Sequence, residues 1–370
     1  MMKAKSAVMA VFSLCLLLAA GTLAQQPPTF TTFDAPGAGT GRDQGTFGLS
    51  INAAGTIAGF FYDASGVAHG MVRDASGAIA TFHGPAAYDG TYAASINDSG
   101  AIAGYFLDAS FVYHGFVRAT DGALTTFGVP GAGTGASEGT VPASINTAGV
   151  VTGYYLDASA VCHGFVRAAS GTITTFDVPG AGTGRYQGTR ASGINSGGFI
   201  TGFYADASSV EHGFVRAADG TFTSFDAPGA GIGPGAGDFI GTVPDSINAA
   251  GVITGSFTNE HLVSHGFVRS ASGTVSDFDA PGAGTYSNTG TLAASIDASG
   301  AIAGSTTDAS LVYHGFVRGA QSGAITTFNA PGSGQGVGQG TMARGINVAG
   351  SIAGYYYDAS NAAHGFLLTP

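Results

Sequence analysis

The chain repeats one unit seven times, and this repetition narrows its fold more than any other feature. His-Gly followed by Phe or Met recurs at His69, His114, His163, His212, His265, His314 and His364. Ile followed by Asn or Asp recurs at Ile51, Ile96, Ile145, Ile194, Ile247, Ile296 and Ile346. A Phe closing a Thr-rich run recurs at Phe33, Phe82, Phe127, Phe176, Phe225, Phe278 and Phe328. Successive histidines lie 45, 49, 49, 53, 49 and 50 residues apart. Nearly all of that variation falls between the marker Phe and the next Gly-Thr pair. Insertions collect where backbone groups can be solvated, so that segment is a loop and the rest of the unit is framework.

Each unit reads as four short strands separated by turn signals. In the second unit the runs are Thr91 to Ile96, Ala101 to Leu107, Phe111 to Arg118 and Leu124 to Phe127, divided by Asn-Asp-Ser-Gly, Asp-Ala-Ser and Thr-Asp-Gly. Asn, Asp and Ser bond nearby backbone in turns, and Gly supplies positive φ. The second strand, Ile57 to Tyr62 in the first unit, is apolar on both faces, as a sheet covered on both sides requires. Thr29 to Phe33 copies a fourth strand with no unit before it, and the last unit stops at Pro370 without one. Pairing the two would remove an exposed sheet edge. The expected fold is therefore all-β: a seven-bladed β-propeller with four antiparallel strands per blade, closed by the N-terminal strand completing the last blade.

Composition fits this reading. Gly is 63 of 370 residues without a Gly-X-Y period, and charged residues are only 9% beside 25 Phe and 14 Tyr, which excludes collagen and a disordered chain. Residues 1–24 read as a signal peptide, with Lys3 and Lys5 before the apolar run Ala7 to Ala20 and small residues at Thr22 and Ala24. That leaves 25–370 as one secreted domain, extracellular or periplasmic, holding ten Arg, no Lys and 23 acidic residues. Such a surface disfavours nucleic acid and anionic membrane, and the expected state is a monomer. Cys162, the thiol left after processing, reads as a small buried hydrophobe.

The repeated histidine sits too far from the axis for seven copies to share an ion, so it is expected to bond a neighbouring strand's backbone or hydroxyl. The following Gly leaves room for an aromatic ring. Arg73, Arg118, Arg167, Arg216, Arg269 and Arg318 end the third strand, with Leu368 in the seventh place, and suggest a hydrogen bond or ion pair between blades. Asp63, Asp108, Asp157, Asp206, Asp308 and Asp358, with Asn259 in the fifth unit, read as caps of the turn after the second strand. Calcium is the sharper alternative for them, although the spaced ladder of a calcium loop is missing; no other cofactor is indicated. The Pro-Gly-Ala-Gly-Thr-Gly loops have no following Lys or helix and are not nucleotide sites. They share a face with the Asp turns, which makes that face the candidate binding surface. Residues that break the symmetry are His83, Glu138, Glu211, Asp238, Glu260 and His261. Asp238, Glu260 and His261 fall in the fourth-to-fifth region, where a specialised pocket would be sought first.

The run Ser50-Ile-Asn-Ala-Ala-Gly-Thr-Ile-Ala-Gly59, followed by His69-Gly70-Met71-Val72-Arg73, resembles the bacterial extracellular HAF repeats. Here the triplet reads His-Gly-Phe six times and His-Gly-Met once, so its middle residue departs from the family's Ala. The resemblance implies export and a propeller-like architecture, and no catalytic residues. The expected function is a non-enzymatic binding or scaffold protein with a carbohydrate or protein ligand at the loop face. An extracellular lyase or hydrolase with one site at the central mouth, and a passive surface or matrix protein, are the alternatives.

Overall fold

A computed structural model describes residues 28–85, 87–88, 90–233 and 240–370. The leader assigned to 1–24 and Asp238 lie outside them. In the first unit β2 (Gly45–Ile51), β3 (Ile57–Tyr62), β4 (Ala68–Arg73) and β5 (Ile79–Phe82) pair antiparallel in order. The later units repeat this pattern. In the last, the third strand β28 (Ala363–Thr369) pairs antiparallel with β1 (Thr29–Phe33), from Thr29 opposite Thr369 to Phe33 opposite Gly365.

Short parallel bridges join each third strand to the first strand of the next unit. The pairs include Ala68 with Gly90, Tyr113 with Gly139 and, across the chain ends, Ala363 with Gly45. Followed through these bridges, 21 strands of the described residues form a closed ring of mixed pairing and seven short strands lie outside it. The fold is all-β, closed and propeller-like. Glycine is needed at the bridges: Gly45 has φ +109°, and a Cβ there would collide with the Ala363 carbonyl oxygen.

Both faces of the sheets are packed. Phe116, Phe165, Phe214, Phe267, Phe316, Phe366 and Met71 from the third strands are fully buried, each contributing about 1.5–3 kcal/mol in apolar transfer. The glycine before each lets the outer-strand Phe lie flat on the sheet. A Cβ at Gly115 would stand 2.8 Å from the Phe127 ring, so the triplet's middle residue cannot be Ala without repacking.

The arginines correct one expectation. Arg118 lies over Phe82 of the preceding unit at 5.0 Å, and Arg73, Arg167, Arg216, Arg269 and Arg318 repeat this at 4.9–5.1 Å. These arginines meet the preceding unit by guanidinium on aromatic face, not by the ion pair or hydrogen bond expected of them. In the seventh unit Leu368 packs in the same cluster as Phe328.

Candidate binding site at the ring centre

Every first strand carries a bulge at the same place. The register skips between Gly48 and Ser50, and correspondingly in the other six units. A bulged residue loses its cross-strand partner and its side chain is re-aimed. The seven bulged residues are Leu49, Ala94, Ala143, Ser192, Asp245, Ala294 and Arg344, and all line one central cavity of about 520 Å³. Val243, Leu292, Ser256, Ser305 and Tyr105 are among the other residues of its wall.

Asp245 and Arg344 are the charged members of that ring. Both are open to the lumen by area yet surrounded by the inner strands. Desolvation among the surrounding inner strands pushes the Asp245 carboxyl up to about 7, while the Arg344 guanidinium pulls the other way. Ala294 of the sixth unit stands between their units, and among the described residues no ion pair joins them. Glu211 is buried nearby, and burial raises it to about 7. Arg190 opposes that shift, while Asp245 adds to it. Arg190 also donates to the Cys162 sulfur at 3.2 Å, so the thiol is buried as expected but is not a plain hydrophobe.

The rim above the cavity is uneven. Tyr355, Phe47, Phe60, Tyr92, Tyr105 and Tyr113 form a continuous arc of rings with centroids 4.8–5.5 Å apart. The fifth and sixth units place Ser256 and Ser305 where this arc has aromatics.

Below the cavity, hydroxyls of Ser50, Ser95, Ser144, Ser246 and Ser295 accept the Ile N–H of the next unit at 3.3–3.4 Å. The far mouth is bounded by the Asn of the Ile-Asn marker. Asn146 Oδ1 accepts the Ala148 and Val150 N–H groups of its own turn, and its Nδ2 donates to the Asn195 carbonyl at 3.0 Å. The same link runs from Asn52, Asn97, Asn195, Asn248 and Asn347 to the following unit, the last reaching Asn52 across the chain ends. Asp297 has no amide to donate and leaves the ring open at one link.

The sequence candidates lie on the outer rim instead. Asp108 Oδ1 accepts the Ser110 and Val112 N–H groups, and its Oδ2 meets His114 Nε2 at 2.9 Å. Asp63, Asp157, Asp206, Asp308 and Asp358 repeat both roles, with His contacts of 2.9–3.6 Å. The turn-capping role is as expected. The histidine's partners are carboxylates, not the backbone or hydroxyl groups expected. His163, His212 and His364 are held on the other side as well, by Asp177, Asp226 and Asp34 at 2.9–3.0 Å. His83 takes that second place beside His69 at 3.2 Å, and Glu138 accepts the Gly135 N–H at 2.7 Å within its own loop. Hydrogen bonding to His69 holds Asp63 below the usual carboxylate range, and His114 does the same for Asp108. Glu260 and His261 are exposed on the fifth unit's turn.

The six Asp stand one per unit and are not brought together. Asp245 and Arg344 escaped the sequence reading, although aligning the seven inner strands leaves their column with small or apolar residues in the other five units. Among the described residues no three His, Cys, Asp or Glu side chains cluster as metal ligands, and no helix is long and apolar enough to cross a membrane.

No family model matches the chain, and no curated protein matches it. Solved structures do. Virginiamycin B lyase from Staphylococcus aureus is similar with a TM-score of 0.56 at 13% identity, covering 93% of this chain and all of that one. Puromycin hydrolase follows with a TM-score of 0.52 at 10% identity, covering 86% of this chain and 51% of that one. At these identities the likeness is one of fold: the chain is a β-propeller protein.

Proposed function

We propose that this chain is a secreted, seven-bladed β-propeller of four strands per blade, with β1 as the outer strand of the seventh, and that it is a binding protein taking one small polar ligand per molecule in the central cavity. One observation carries the reading. Seven equivalent bulges aim seven side chains at the axis, and symmetry is broken there by Asp245 and Arg344. Binding sites form where a rigid scaffold presents a few convergent polar groups in a concave, largely apolar wall. The loop face is the weaker surface for such a role. Its repeated carboxylates, 28–32% exposed, spend both oxygens on their own turns and histidines. Catalysis at the same mouth is the second reading, favoured by the Asp245 carboxyl in the cavity wall, raised to about 7.

Calorimetry of residues 25–370 against a library of sugars, amino acids and organic acids tests the reading. One ligand per chain is expected, lost in Ala294→Phe, which fills the cavity from the unit between the two charges. Several equivalent sites per chain, or binding untouched by the cavity-filling change, would place recognition on the loop face.

A further inference from the structure

We propose that the central site takes a dipolar ligand, with a carboxylate or similar oxyanion seated on Arg344 and an ammonium group on Asp245. This rests on the central-site reading above. The two charges are of opposite sign, project into one cavity and are held apart by the sixth unit, whose bulged residue between them is the small Ala294. In a confined space each would gain from a direct partner, and among the described residues neither has the other as an ion pair. A ligand that bridges them supplies both partners at once.

Charge balance narrows the class. The cavity's own charges sum to zero, so a simple anion meets Asp245 and a simple cation meets Arg344. The chain as a whole carries a formal charge of −11, which further disfavours a polyanion. A net-neutral molecule with separated charges meets neither objection. The planar guanidinium matches a carboxylate in a fork of two hydrogen bonds, and an ionised carboxylate accepts from ammonium. Val243 and Leu292 offer an apolar wall for the spacer, and Ser256 and Ser305 stand beside it.

Proton linkage supports the assignment. The charged group acting on Asp245 is Arg344, which lowers its pKa; Asp245 in turn raises Glu211, which Arg190 counters. An ammonium group requires ionised Asp245, so binding should strengthen as pH rises from 6 to 8 through the value of about 7.

The test is calorimetry with a spacer series: glycine, β-alanine, γ-aminobutyrate and ε-aminocaproate, each beside its N-acetyl and amide derivatives. One or more free members should bind one to one, and blocking either end should weaken that binding at least about tenfold. In Arg344→Gln the amide should bind as well as the acid, and in Asp245→Asn the N-acetyl form as well as the amine. Cooperative thermal unfolding of both variants, with Asp245→Asn melting no lower than wild type, establishes that they fold. Failure of the whole series, or equal binding of the blocked forms to wild type, overturns the dipolar assignment. A neutral sugar bound one to one and lost in Ala294→Phe would overturn the ligand class and leave the central site standing. No ligand of any class in the cavity would overturn both.

Discussion

Replacing Asn146 by Asp changes one atom in the amide ring at the far mouth, and the structure sets the size of the effect. Asn146 is 7% exposed. An Asp there keeps both turn caps, as Asp297 does with the Ser299 and Ala301 N–H groups at 2.8 and 2.9 Å. What disappears is the Nδ2 bond to the Asn195 carbonyl. That carbonyl still accepts the Gly198 N–H at 3.1 Å, so it is not orphaned, and the lost neutral bond accounts for about 1 kcal/mol. A carboxylate oxygen would then face a carbonyl oxygen at a buried site, which adds about 1 kcal/mol more. Asn146→Asp should therefore lower stability by about 2 kcal/mol in urea unfolding at neutral pH with an unchanged slope. Asp297→Asn is the mirror experiment. It completes the ring to the Asn347 carbonyl and should raise stability by up to about 1 kcal/mol, less what the caps lose with the carboxylate charge. If Asn146→Asp unfolds within about 0.5 kcal/mol of wild type, the amide ring contributes nothing measurable and the reasoning fails.

Gly115→Ala places a methyl group 2.8 Å from the Phe127 ring and should cost about 1–3 kcal/mol by overpacking; Phe127→Leu in the same chain should recover part of it, and no recovery would separate the glycine from the ring. Asp63 and Asp108 titrate below their ordinary range. Their contribution is therefore present above the unfolded-state pKa and is lost as pH falls through the folded values. The melting temperature should drop on acidification below about pH 4, and a flat profile would contradict the His–Asp contacts. Asp245 has the opposite sign. Its folded pKa of about 7 lies above the unfolded value, so ionisation opposes folding increasingly between the two. Asp245→Asn should stabilise the chain at pH 8 and leave it nearly unchanged at pH 4, and an equal effect at both would remove the desolvation argument.

Much of this molecule is legible in its repeats because the causes are local and occur seven times. The Asn and Asp turns, the four strand runs and the glycine beneath each aromatic follow from residues close in sequence. The match between Thr29–Phe33 and the missing strand of the last unit is equally visible, and β1 lies against β28 as that match requires. The side-chain partners were not legible. Nothing in the sequence says that an arginine lies on the preceding unit's phenylalanine, or that each histidine rests against carboxylates, because those neighbours come from loops and strands joined only by packing.

The centre of the ring is the sharpest case. Position within a strand predicts which face a side chain takes, but a bulge breaks the alternation, and the seven bulges turn Asp245 and Arg344 toward the axis. From the sequence alone Asp63 and its repeats were the conspicuous acids, and they are committed to their own turns. Repetition determined the strands and the units. Closure of the ring decided which two charges would meet in one cavity, since only closure brings the fifth and seventh inner strands around a common axis.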